Sequence, residues 1–146
     1  MKRLLLIFCF LLLWLEAGAQ ESSFKASWTL RRHTPLMEQD LLSSGTVLLQ
    51  KPSYIRWETL SPVQSVMEMD GESRDKRFRM PTEKDFRITP LEEGKEELVP
   101  LRRDLKQLFC KITVTYYPAT RLPKTVLLEE TDQSWTMIEF KDIVSQ

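Results

Sequence analysis

Two cysteines in 146 residues cannot form a disulfide framework, and four glycines exclude a collagen-like chain. A single histidine, His33, removes zinc sites built on several imidazoles and triads of the serine–histidine–acid kind. Neither charge sign is in excess: 21 basic side chains meet 21 acidic ones. Without a basic block there is no footprint for phosphate backbones, so nucleic acid is not an expected partner. Phosphate-loop, nucleophile-elbow, dinucleotide and Cys-x-x-Cys signatures are all missing. The carboxylates gather in charged turns such as Glu92, Glu93, Glu96 and Glu97, where solvation explains them, and no pair stands out as a glycosidase couple. General acid or base work needs a placed and tuned group, and none is evident. Hence no catalytic residue, no metal ligand and no cofactor is assigned, and an enzyme is not expected.

What is present is an apolar content of 42% with 10% aromatics, enough for the core of one ordinary domain. Lys2 and Arg3, an apolar run from Leu4 to Leu15, and the small residues Ala17, Gly18 and Ala19 have the layout of a secretory signal. The run is too short to span hydrocarbon, which takes about 20 apolar residues. Residues 1–19 therefore read as a signal peptide cleaved after Ala19, and residues 20–146 as one exported domain. Loss of Lys2, Arg3 and Glu16 leaves 19 basic and 20 acidic groups. One cysteine remains, Cys110, expected as a buried small hydrophobe.

Alternation dominates the domain. Phe24, Ala26, Trp28 and Leu30 interleave with Lys25, Ser27, Thr29 and Arg31, the period-two pattern of a strand with one dry face. Further strands are predicted at Thr46–Gln50, at Ser53–Thr59 with Ile55 and Trp57 together, and at Val63–Met69 with Met67 and Met69 together. Gly45, Pro52, Pro62 and Asp70-Gly71 punctuate them. Glu72–Lys84 reads as a polar loop. Phe86 and Ile88, a turn at Glu92–Lys95, and Glu97–Val99 form a hairpin. Leu101, Leu105 and Leu108 predict a short helix with Pro100 at its first position. Cys110, Ile112, Val114 and Tyr116 share one strand face, Lys124–Glu130 makes another strand, and Ser134–Phe140 the last. A mainly β antiparallel meander with little helix must form a sandwich or curl around something.

The segment SGTVLLQKPSYIRWETLSPVQSVMEMDG, Ser44 to Gly71, resembles the periplasmic outer-membrane lipoprotein carriers of the LolA type. Gly45, Lys51-Pro52, Arg56-Trp57, Pro62 and Asp70-Gly71 occur in that family's order. FKASW (Phe24–Trp28) is similar to its first strand, ELVP (Glu97–Pro100) to a later one, and Thr120–Ile143 to its last two. The resemblance implies an incomplete, half-open β-barrel: a strongly curved antiparallel sheet whose concave apolar face receives acyl chains. It also implies a periplasmic location, an acylated lipoprotein or other lipid as cargo, an inner-membrane transporter that loads it and an outer-membrane receptor that unloads it. On that reading Trp28, Val47, Leu49, Ile55, Trp57, Met67, Met69, Val114, Tyr116 and Met137 line the cavity. Lys51 stands where an arginine associated with cargo transfer is usual, and a lysine is a point charge rather than a planar fork.

Two departures bear on function. Little more than Glu21, Ser22 and Ser23 separates the signal from Phe24, so the usual leading helix is not expected, and the segment that normally supplies lid helices is reduced to the polar Glu72–Lys84. A palmitoyl-sized chain of about sixteen carbons loses roughly 12 kcal/mol on entering water, so a carrier needs an apolar, adaptable pocket. Methionines suit such a pocket because they repack around variable chains. The alternative is a non-enzymatic envelope binding or scaffold module that keeps the sheet and contacts proteins through it.

Overall fold

A computed structural model describes residues 23–50, 54–70, 83–119 and 122–145. The signal segment, Lys51, Pro52, Gly71 and Met80 lie outside the described residues. Among the described residues nine strands form: β1 (Ser23–His33), β2 (Leu41–Gln50), β3 (Tyr54–Ser61), β4 (Ser65–Asp70), β5 (Phe86–Glu92), β6 (Lys95–Pro100), β7 (Lys111–Tyr116), β8 (Pro123–Glu129) and β9 (Trp135–Ser145). A 3-10 turn spans Glu83–Asp85, and the helix α1 is a single turn, Arg103–Lys106. All nine strands join one antiparallel sheet in the order β4-β3-β2-β1-β9-β8-β7-β6-β5. Two meanders are thus fused where the first strand pairs with the last, and the sheet stays unclosed, a curved half-open barrel with β4 and β5 at its edges.

Side-chain alternation fixes which face is dry. Phe24, Ala26 and Trp28 on β1, Val47 and Leu49 on β2, and Ile55 and Trp57 on β3 are buried on one side, here the inner face. Ile138 and Phe140 on β9, Val126 and Leu128 on β8, and Ile112 and Val114 on β7 continue it. The core is completed from outside the strands by Leu105, Phe109 and Leu122. Each large apolar side chain buried here contributes about 1.5–3 kcal/mol.

Three local features depart from the sequence-based expectation. The helix is shorter than Leu101–Leu108, because Pro100 closes β6 opposite Phe86 and the Leu101 amide donates to the Asp85 carbonyl at 2.8 Å. Arg102 anchors this corner, 3.6 Å from Asp85 and bonded to Asp104, whose carboxyl it holds below the ordinary carboxylate range. Cys110 is exposed, not buried: Phe109 takes the core position just before β7, and Cys110 instead donates its amide to the Glu129 carbonyl at 2.7 Å. Finally, β9 runs past Phe140 through a bulge at Asp142, whose φ of 54° puts two residues opposite one gap in β1 and packs Ile143 against the core.

Gly45 has a specific reason to be glycine. It pairs with Trp28, whose indole covers it, and a Cβ there would sit 1.8 Å from the Glu58 carbonyl oxygen and 2.8 Å from the Trp28 ring. No rotamer relieves a collision with backbone. Gly45→Ala is expected to destabilise the fold by about 3 kcal/mol or more, read as a lowered urea midpoint, whereas Gly94→Ala, strained only by its φ of 76°, costs less.

Candidate functional site

Strand register gathers most of the predicted cavity residues on two neighbouring rungs of the inner face. Leu49 pairs with Ile55, which pairs with Met69; Val47 pairs with Trp57, which pairs with Met67. Trp28 joins them from β1, its ring stacked on Trp57 with centroids 4.4 Å apart and 22° between planes. Its indole N–H donates to the Thr46 carbonyl at 3.0 Å, so the ring buries its area without stranding a donor. Leu49 and Ile55 are fully closed off from water, while Met67, on the edge strand, keeps 38% of its surface exposed.

Val114 and Tyr116 belong to the other meander. Val114 reaches the β1 side only through Val126 and Ile138, along one rung of β7, β8 and β9. Tyr116 packs against the core and its hydroxyl donates to Glu96 at 3.3 Å. Met137 does not join them. Its neighbours Thr136 and Ile138 are buried on the inner face, which turns Met137 outward, where it pairs with Arg31. Both parities of β9 carry apolar residues, Trp135 and Met137 on one and Ile138 and Phe140 on the other, so alternation alone could not choose between them. Lys51 lies outside the described residues. Phe24, Ile138, Phe140, Leu105 and Phe109 also belong to this core; for Phe24 the sequence carries the signal, on the alternating face of Trp28, whereas Ile138 and Phe140 need the β1–β9 register.

The inner face is apolar until β1 reaches Arg32, the next inward position after Leu30. There the guanidinium donates to Glu130 Oε2 and Thr136 Oγ1, each at 3.0 Å, with the two charged side chains 12% and 5% exposed. The pair ties the end of β1 to the turn between β8 and β9, and Gln133 closes that turn at a φ of 70° beside the Asp132–Ser134 hydrogen bond. Glu96 on β6 shares the inner face, paired with Val114 and accepting from Tyr116; on the outer face Arg56 lies 3.9 Å from Glu68 and 4.0 Å from Glu58, and Asp40 meets both Arg31 and His33. Among the described residues no group of three or more His, Cys, Asp or Glu is placed to hold a metal ion, and no helix is long and apolar enough to cross a membrane.

No known family's sequence profile matches the chain, and no curated protein does. Solved structures do. A LolA superfamily protein, NE2245 of Nitrosomonas europaea, is similar over 94% of this chain and 93% of its own at 10% identity, with a TM-score of 0.46. A putative outer-membrane lipoprotein-sorting domain of Vibrio parahaemolyticus is similar over 86% of each chain at 10% identity, TM-score 0.37. A chain of the MucA/MucB complex of Pseudomonas aeruginosa is similar over 94% of this chain at 15% identity, TM-score 0.53. The MucA/MucB likeness shows a shared strand arrangement, a curved and unclosed antiparallel sheet. This chain spans 56% of that chain, and at such identity the likeness concerns the fold alone.

Removing one member of the Arg32–Glu130 pair leaves a charge stranded at the end of the inner face. Glu130→Ala is expected to cost about 3 kcal/mol in thermal or urea unfolding, while the double replacement Arg32→Met with Glu130→Leu stays within about 1 kcal/mol of the parent. Equal loss in both variants would mean that the contact is not worth what its geometry implies.

Proposed function

We propose that this protein is an exported, non-enzymatic carrier that holds acyl chains of a lipoprotein or another lipid against its inner face and moves them across the periplasm. The observation that supports this most is the continuity of that face. From Ile55 and Trp57 on β3 through Trp28, Phe140 and Val126 to Val114 on β7, these side chains are apolar, and charge enters only at the margins, at the Arg32–Glu130 pair and at Glu96 on β6. The sheet behind them does not close, so its free edges β4 and β5 can move apart by flexing the sheet without breaking a ladder. Because the inner residues are shut off from water, a cargo chain enters by displacing whatever covers them. Met67, half in water on the edge strand, marks the side of entry. Loading and unloading partners at the two membranes belong to the same proposal, as does a transfer role for Lys51.

A second reading has its own support. The fold likeness with the highest TM-score reported above comes from a structure of two proteins in complex. On that reading the unpaired edges of β4 and β5 offer free N–H and C=O groups to a partner strand.

Mass spectrometry of organic extracts from protein purified out of its own envelope separates the two. Under the carrier reading acylated species are present, and a dansyl-labelled fatty acid gains fluorescence on mixing. Met67→Glu then weakens that binding by at least about tenfold, while the exposed position keeps the melting temperature near that of the parent. Empty extracts together with no fluorescence gain would end the carrier reading and leave the scaffold reading in place. Val47→Glu is less useful, since a carboxylate at that buried position unfolds the sheet.

A further inference from the structure

The outer face carries a groove of about 530 Å³ over β1, β2 and β9, a volume in the range of small-molecule clefts, roughly 300–1,000 Å³. It lies on the opposite side of the sheet from the inner face, and nothing in the carrier reading uses it. We propose that it is a binding site for a neutral saccharide.

Register gives the groove a graded chemistry. One rung is polar across four strands: Glu139 pairs with Thr29, Thr29 with Ser44, and Ser44 with Ser61. The next is mixed, Met137 beside Arg31 beside Leu42. The last carries Trp135, partly exposed and paired with His33. The aromatic wall is held in place from behind. His33 stacks on Trp135 with centroids 5.4 Å apart and 18° between planes, its Nδ1 lies 2.8 Å from Asp40, and the other oxygen of Asp40 lies 3.2 Å from Arg31 Nε. One carboxylate thus sets both the guanidinium and the stacked rings, so the site is preorganised rather than assembled on contact.

The lining selects among ligand classes. An acyl chain would cover the hydroxyls of Thr29, Ser44 and Ser61 without answering them, which disfavours it. An anion meets Glu139, and a cation meets Arg31, which is already answered by Asp40. A neutral polyol offends neither. Its hydroxyls accept from the guanidinium, donate to the carboxylate, and do both with the hydroxyl rung. A pyranose also has an apolar C–H face to lay on Trp135 and Met137. A polar row opposite an aromatic wall matches a ring that is itself polar at its rim and apolar on its face.

The test is calorimetric titration of the purified protein with maltotriose, mannotriose and triacetylchitotriose. At least one is expected to bind. Glu139→Gln, Ser44→Val and Trp135→Ala should each weaken it by about tenfold or more. Met67→Glu on the inner face should leave it unchanged, and the dansyl fatty acid should not compete. Ser44→Val and Glu139→Gln, conservative in shape on a solvated face, decide the matter if Trp135→Ala lowers the melting temperature. No binding of any of the three sugars to the parent protein, or binding equally strong in Ser44→Val and Glu139→Gln, overturns the site. Because the fatty acid is read separately, failure here is distinct from failure of the carrier reading.

Discussion

The pairing of β1 with β9 is the constraint on which the rest depends. Without it the chain is two meanders, each too narrow to hide its apolar side chains. With it Trp28 meets Phe140, Leu30 meets Ile138, and the dry faces of both halves become one surface. Trp28 then stands at the centre, stacked on Trp57 to one side and opposite Phe140 on the other, with Gly45 cut back to make room. Such an offset stack adds about 0.5–1.5 kcal/mol beyond the area it buries. The bulge at Asp142 lets β9 continue beside β1 after Phe140 and keeps Ile143 on the core.

The same sheet has opposite chemistry on its two sides. Inward it is apolar from β3 to β7 and ends in a buried ion pair; outward it carries paired charges, hydroxyls and one stacked histidine–tryptophan platform. Strand alternation produces this separation without further machinery, because each residue that leaves the inner face enters the outer one. The two faces can therefore vary independently, since Met67 and Glu139 lie on opposite sides of the sheet.

Much of this was legible from residue types. The alternation in Phe24–Leu30, the Ile55–Trp57 pair, the hairpin around Gly94 and the β7–β8 strands all appear where period two and turn chemistry put them. The strand ends were less legible. β1 runs on through Arg31, Arg32 and His33, three polar residues that alternation cannot sort, and only the Arg32–Glu130 contact reveals that Arg32 still points inward. At Cys110 the alternation from Ile112 breaks, because Phe109 takes over the core there. At Met137 alternation is ambiguous, since both parities of β9 are apolar and burial falls to the one that carries Thr136. What no pattern within a single segment could supply is the fusion of first and last strands, a contact between residues more than a hundred positions apart.

The central claim is that acyl chains lie on the inner face, and methyl resonances of the methionines report it directly. With ¹³C-methyl methionine and a saturating fatty acid, the Met67 methyl should shift and show cross-relaxation to the ligand methylenes, while Met137, on the other side of the sheet, should stay where it is. A shift confined to Met137, or no shift at either residue, would contradict the account.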